Sequence, residues 1–367
     1  MATHLKSISI QGFKSIQNLD GLKLNGLNVL IGANGAGKSN FVDFFRLLRN
    51  MFDEKLQDSI AKTGSADSLF FSGPKVTNQI FGHLTLSDNE YRFTLRLTDK
   101  AGVVIASQAM RFEQTDWVER PSYAKEASMD SWFDSHNTSP LLGYGNYNPQ
   151  EIRNWATYHF HDTTASAAFR RPQSARDFRT LGENAGNIAA FLLRIRQSEP
   201  EIYQRILYNT QLIAPYFEDF ILEPEGIEGL EVIRLEWRQK GISVPMQPLQ
   251  LSDGTLRFIC LVTALLQPKL PRLMLFDEPE LGLHPAAIEV VAELMYEASG
   301  SSQLIVATQS PAFVDVINPD DIVVVDRENE ASTFTRLEES KLKDWLEDYT
   351  LGDLWRKNVF SGGPFRG

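Results

Sequence analysis

Hydrophobic and polar positions change rhythm along the chain. Residues 5–10 alternate with a period of two, as a half-buried strand does, and Leu27, Val29, Leu30 and Ile31 form a short apolar run that ends at a glycine. From residue 39 to 52 the rhythm shifts: Phe41, Val42, Phe45, Leu48 and Phe52 recur three and four apart, which predicts a helix with one buried face. The order is strand, Gly-rich turn, helix. Alternation returns over residues 80–86 and 91–97, separated by Ser87-Asp88-Asn89-Glu90, and predicts a hairpin.

Residues 101–230 lose that regularity. Aromatics scatter among polar, turn-rich stretches at 136–140 and 143–149, and helical spacing is clearest over 185–197 and 200–213. The segment reads as an inserted, mostly helical lid, without the sustained heptads of a coiled-coil arm. After about residue 230 the pattern alternates again: strand over 232–237, helix over 254–267, strand over 273–276, helix over 285–298, strand over 304–307. Such alternation predicts an α/β sheet. Strands at 322–325 and 334–337 precede a helical tail. The expected organisation is an N-terminal part (1–100), the lid (101–230), a C-terminal part (231–340) and the tail (341–367).

Composition narrows the classes. With 367 residues, 43% hydrophobic and 23% charged, the chain buries a real core in one or two domains. Its apolar runs fall far short of the ~20 residues that span a bilayer, and its start lacks a basic, then apolar, leader. Neither a membrane span nor secretion is expected; the expected location is the cytoplasm. The single cysteine, Cys260, permits no internal disulfide or multi-cysteine zinc site and reads as a small buried residue. A net charge of −11 argues against a general nucleic-acid coat but leaves room for a local basic patch.

Gly32-Ala33-Asn34-Gly35-Ala36-Gly37-Lys38-Ser39 satisfies G-x-x-x-x-G-K-[ST] between a predicted strand and a predicted helix. The glycines let backbone N–H groups turn inward around phosphate oxygens, and the helix N-terminus adds partial positive charge. Lys38 is placed to reach the β- and γ-phosphates, and Ser39 to ligate Mg2+. Asn34, Ala36 and Asn40 complete the expected phosphate-binding loop. A second element, Leu273-Met274-Leu275-Phe276-Asp277-Glu278, is an apolar strand ending in two acids. Asp277 suits the Mg2+ shell, and Glu278 suits orienting or deprotonating an attacking water. A third, Leu251-Ser252-Asp253-Gly254-Thr255, opens an amphipathic helix.

With these three motifs the chain resembles the RecF/SMC-like branch of ABC-type ATPases, in particular the short-lidded bacterial proteins of the RecF type. The resemblance extends to Ile10-Gln11-Gly12-Phe13-Lys14-Ser15 at the start, to residues 280–285 as the D-loop region and to Ala307-Thr308-Gln309-Ser310-Pro311 as the switch region. It implies a P-loop head with a mixed sheet, ATP and Mg2+ as cofactors, and a homodimer in which Ser252 and Gly254 of one copy close on ATP bound to the other. Asp253 stands where many transporters have glycine and is expected to face sideways. Gln309 occupies the place of a switch histidine; it donates a hydrogen bond but takes up no proton, so slow hydrolysis is expected. Gln79 matches a weakly defined metal- and water-contacting glutamine. The resemblance also implies DNA maintenance or anti-phage defence, with a separately encoded nuclease-like effector.

Other features leave alternatives open. His159 and His161, with Asp162, form a metal-site pattern or a structural one. Arg170, Arg171, Arg176 and Arg179 are available to DNA phosphates through the lid, to the ATP site, or to salt bridges. Trp345, Leu351, Leu354 and Trp355 of the tail pack on the sheet or dock a partner. An alternative to turnover is an ATP-clamped scaffold.

Overall fold

The computed structural model describes residues 4–87, 89–98, 102–112, 115–124, 150–227 and 229–360; the turn-rich stretches at 136–140 and 143–149 lie outside them. The chain divides into two compact units, Met1–Trp155 with Asn318–Gly367, and Ala156–Ile317.

The first unit opens with β1 (Ser7–Phe13), β2 (Ile16–Lys23), β3 (Leu27–Ile31) and helix α1 (Lys38–Phe52), followed by β4 (Gln79–Thr85), β5 (Asn89–Leu97), β6 (Val103–Phe112) and β7 (Val118–Ala124). Six of these strands form an antiparallel sheet in the order β2-β1-β4-β5-β6-β7. Its second half differs from the expected lid start at residue 101: β6 continues the hairpin, with Leu97 opposite Val103 and Tyr91 opposite Met110. Apolar residues of α1 pack on this sheet. Phe44 lies between Phe13 and Phe93, with ring centroids 5.3 and 6.1 Å away, and Phe52 meets Tyr91 at 5.4 Å. Each buried ring contributes about 1.5–3 kcal/mol, so the helix that follows the Gly-rich turn is anchored along its length.

The second unit begins with β8 (Trp155–Tyr158) and β9 (Gln173–Ser174), then helices α2 (Ile188–Ser198) and α3 (Pro200–Ile213), which fall where spacing predicts them. Pro200 at the first turn of α3 sacrifices no helical hydrogen bond. The single strand expected over 232–237 is two: β11 (Val232–Ile233) pairs with β9, and β12 (Glu236–Gln239) pairs with β10 (Phe217–Ile221). Helix α4 (Asp253–Leu266), strand β13 (Leu273–Asp277), helix α5 (Pro285–Ser299) and strand β14 (Gln303–Thr308) follow. β13 and β14 are parallel, Leu275 opposite Ile305, and their residues are buried except for half-buried Asp277. That continuous apolar run is the mark of a strand covered on both faces.

The chain returns to the first unit with β15 (Ile322–Glu328), parallel to β3 and antiparallel to β16 (Ala331–Arg336). In the tail, Leu354 and Trp355 are fully buried, whereas Trp345 is half exposed beside Tyr349. Cys260 is free and buried. Among the described residues no helix is long and apolar enough to cross a membrane.

Candidate nucleotide-binding site

The first unit carries the Gly-rich loop expected to bind phosphate. β3 delivers the chain to Gly32, and the loop ends at Gly37, the N-cap of α1, at φ 118. A side chain at Gly37 is excluded twice: its φ is left-handed, and a Cβ would lie 2.0 Å from Ser332 Oγ. Lys38 is buried and bends back over the loop, Nζ donating to the carbonyls of Gly32 (2.6 Å) and Ala33 (3.1 Å). Ala36 is buried, while Asn34, Gly35 and Ser39 are exposed. The loop thus keeps its cation inside and its hydroxyl and backbone outside, an arrangement that fits a triphosphate.

A hydroxyl network that sequence reading missed supports this loop. Asn40 Nδ2 donates to Ser15 Oγ (2.7 Å), Ser15 and Ser332 share a hydrogen bond of 2.7 Å, and Ser332 Oγ donates to the Ala36 carbonyl. Ser332 N also donates to the Ser15 carbonyl at 2.8 Å. Nothing local marks Ser332, which sits in β16 almost 300 residues beyond the loop. Gln79 starts β4, exposed, and its Oε1 accepts from Arg96 at 3.3 Å.

The second unit carries the two acids that end β13, the Ser252–Gly254 segment expected as a signature and Gln309. Glu278 follows β13 in a left-handed conformation (φ 43), held by its N–H donating to the Ala307 carbonyl at 2.7 Å. Gln309, just beyond β14, donates its side-chain amide to Glu278 Oε1. These two residues, 31 apart in sequence, are therefore brought together. Beside them Glu280 is buried and accepts from Thr308 Oγ1; burial pushes its carboxyl above the usual range, and the Glu278 charge adds to the effect. Thr308 Oγ1 in turn accepts from Ser310 N at 3.0 Å. Asp277 and Glu278 border a cavity of about 10 Å³ with Tyr158, Phe160, His161 and Arg257.

Ser252 caps α4, its Oγ accepting from Thr255 N at 3.1 Å. Gly254 packs against the D-loop region, where a Cβ would lie 2.4 Å from the Gly282 carbonyl. Asp253 does turn sideways, onto Arg170 at 2.7 Å. In the histidine pattern, the backbone N–H of His159 donates to the Glu183 carbonyl, and Asp162 accepts from Thr164, which holds its carboxyl below the usual range. Among the described residues no group of three or more His, Cys, Asp or Glu side chains is placed to hold a metal.

Residues 27–315 match the family described as "AAA domain, putative AbiEii toxin, Type IV TA system". Over 63 residues the chain is 44% identical to the chromosome partition protein Smc of Desulfitobacterium hafniense (strain Y51), a stretch covering 15% of this chain and 5% of that protein. The fold is similar to an SMC head bound to the C-winged helix domain of ScpA, with 17% identity and a TM-score of 0.56 over 93% of this chain and 99% of that one. A Smc head domain with an extended coiled coil, bound to the C-terminal domain of ScpA derived from Pyrococcus furiosus, gives 16% identity and 0.52 over 94% and 99%. The matched residues make up more than half of the chain, so the chain belongs to this AAA-domain family, and its fold is that of the SMC heads.

Proposed function

We propose that the chain is an ATP-driven switch, in which two copies sandwich two nucleotides and hydrolysis reopens them. Lys38 and the loop from Gly32 to Asn40 bind the phosphates, and Ser252 and Gly254 of the second copy present the α4 N-terminus to the γ-phosphate. Ser39 and Asp277 are the residues that would hold Mg2+, which would supply charge neutralisation at the phosphates; Gln79 would join them only by releasing Arg96. The observation that carries the reading is the Glu278–Gln309 hydrogen bond. A γ-phosphate competes for the Gln309 amide; once that amide donates to phosphate, Glu278 Oε1 is free to orient a water for in-line attack.

The same bond favours a second reading, an ATP-clamped scaffold, because a Glu278 that stays on Gln309 activates no water. Turnover separates the two. Steady phosphate release that Glu278→Gln abolishes supports the switch; absence of release, with ATP still bound, supports the clamp. In the switch reading, Glu278→Gln with Mg-ATP shifts from monomer to dimer in solution mass, and Lys38→Ala or Ser252→Arg prevents the shift. The names of the relatives, a chromosome partition protein and a toxin-related AAA domain, support a role in DNA maintenance or defence, with the switch acting on DNA or on a separately encoded nuclease-like effector.

A further inference from the structure

The signature carries a carboxylate at a place where a phosphate-reading helix has no use for one. Ser252 is the N-cap of α4 and Asp253 its first residue. In the sandwich this end meets the triphosphate of the second copy, and a carboxylate swung toward it repels the γ-phosphate. The structure shows what restrains it. Arg170 Nη2 donates to Asp253 Oδ1 at 2.7 Å, and the partners are unlike: the Arg170 side chain is 4% exposed and that of Asp253 62%. The other two guanidinium nitrogens of Arg170 bond to backbone, Nε to the Thr163 carbonyl at 3.1 Å and Nη1 to the Pro248 carbonyl.

One turn further along α4, Arg257 donates from Nε to the Phe160 carbonyl (2.9 Å) and from Nη2 to the His161 carbonyl (3.2 Å). Burial lowers the Arg257 pKa and the charge of Asp253 opposes that shift. Asp253 thus pairs with Arg170, and the two arginines bind the backbone carbonyls at 160, 161, 163 and 248 beside the first turns of α4. Arg170 is also withdrawn from the basic cluster that sequence offered to DNA: each of its guanidinium nitrogens is bonded and the side chain is buried.

We propose that Arg170 is a positioning residue of the signature, which neutralises Asp253 and holds its carboxylate aside so that the α4 N-terminus accepts the second copy's triphosphate. This rests on the sandwich reading. Asp253 in turn keeps the buried guanidinium paired, since an unpaired buried charge is costly.

The test uses the full chain carrying Glu278→Gln as parent, with the ATP concentration at half-maximal dimerisation read by analytical ultracentrifugation and folding checked by thermal melting. Arg170→Met raises that midpoint by about tenfold or more. Arg170→Met with Asp253→Asn returns it to within about threefold of the parent, although the bonds to Thr163 and Pro248 are still missing. Raising salt shrinks the deficit of Arg170→Met, because a repulsion is screened where a packing defect is not. A folded double variant as weak as Arg170→Met overturns the proposal, as does a deficit insensitive to salt. Should Arg170→Met not fold, Arg170→Lys carries the test: losing the planar fork raises the midpoint, and adding Asp253→Asn must cancel the rise. A parent that stays monomeric at saturating ATP overturns the sandwich reading and this role with it, which tells the two failures apart.

Discussion

The two units solve the problem of holding functional groups in different ways. In the first, the phosphate loop is fixed by backbone and neutral hydroxyls: Lys38 is satisfied by two loop carbonyls, and Ser15, Asn40 and Ser332 brace the turn from behind. In the second, functional groups are held by side-chain pairs that each include a carboxyl group: Glu278 by Gln309, Glu280 by Thr308, Asp253 by Arg170. A site built from backbone is preorganised for binding, because little has to rearrange when phosphate arrives. The Glu278–Gln309 pair is suited to switching, because an incoming anion can take the Gln309 amide from Glu278, whereas the Asp253–Arg170 pair serves by staying closed.

Breaking each unit at its own device tests that contrast. The largest effect is expected for Glu278→Gln, which lowers the rate of phosphate release by about 100- to 1,000-fold while ATP affinity, measured by calorimetry, stays within about threefold of the native chain. Lys38→Ala inverts the pattern: ATP affinity falls by about 100-fold, the loss of charge-assisted bonds to phosphate, and the melting temperature changes by only a few degrees. An equal loss of affinity in both variants removes the division of labour.

A smaller effect is expected behind the loop. Ser332→Val forces a branched side chain against Gly37 and costs about 1–3 kcal/mol of stability, with ATP affinity down by about tenfold; Ser332→Ala loses only the hydroxyl bonds, about 1 kcal/mol. Denaturant unfolding of the two variants checks the order. If Ser332→Val binds ATP as the native chain does, the brace does not preorganise the loop.

The smallest effect concerns Glu280. Burial raises its folded carboxyl pKa above the ordinary 4.5, so the fold favours the protonated form. Its contribution to stability is therefore present below pH 4.5 and is lost as pH rises through the folded value. Glu280→Gln, which still accepts from Thr308, is expected to raise stability at pH 8 by about 1 kcal/mol, and that gain shrinks as pH falls toward 4.5. Thermal melts across this range check the sign; a gain that grows toward acid contradicts the buried-acid account.

Local pattern made much of this legible. The glycine loop, the acid-ended apolar run of β13 and the Ser252 cap each lie within a few consecutive residues, so spacing alone exposes them. β2 was not legible. Its buried residues Ile16, Leu19 and Leu22 recur three apart, a helical spacing, yet the segment is a strand whose pairing with β1 shifts register between Ile8 and Ile10. The irregularity moves the buried face by one residue and hides the period of two. β6 was hidden for another reason: Val103, Val104 and Ile105 are all buried in succession, which erases alternation.

By itself, then, the amino-acid sequence determined the chemistry offered: a cation and a hydroxyl at a helix start, two carboxylates at a strand end, a capped helix that can face phosphate. Those groups are neighbours along the chain, and short-range geometry decides where they point. Tertiary structure alone decided what restrains them. Ser332 behind the loop, Gln309 on Glu278, Thr308 on Glu280 and Arg170 on Asp253 lie between 28 and 296 residues from the groups they hold. A hydrogen bond across that separation leaves no periodic trace in sequence; it exists only because strands and helices, driven by burial of their apolar faces, bring two distant side chains within 3 Å.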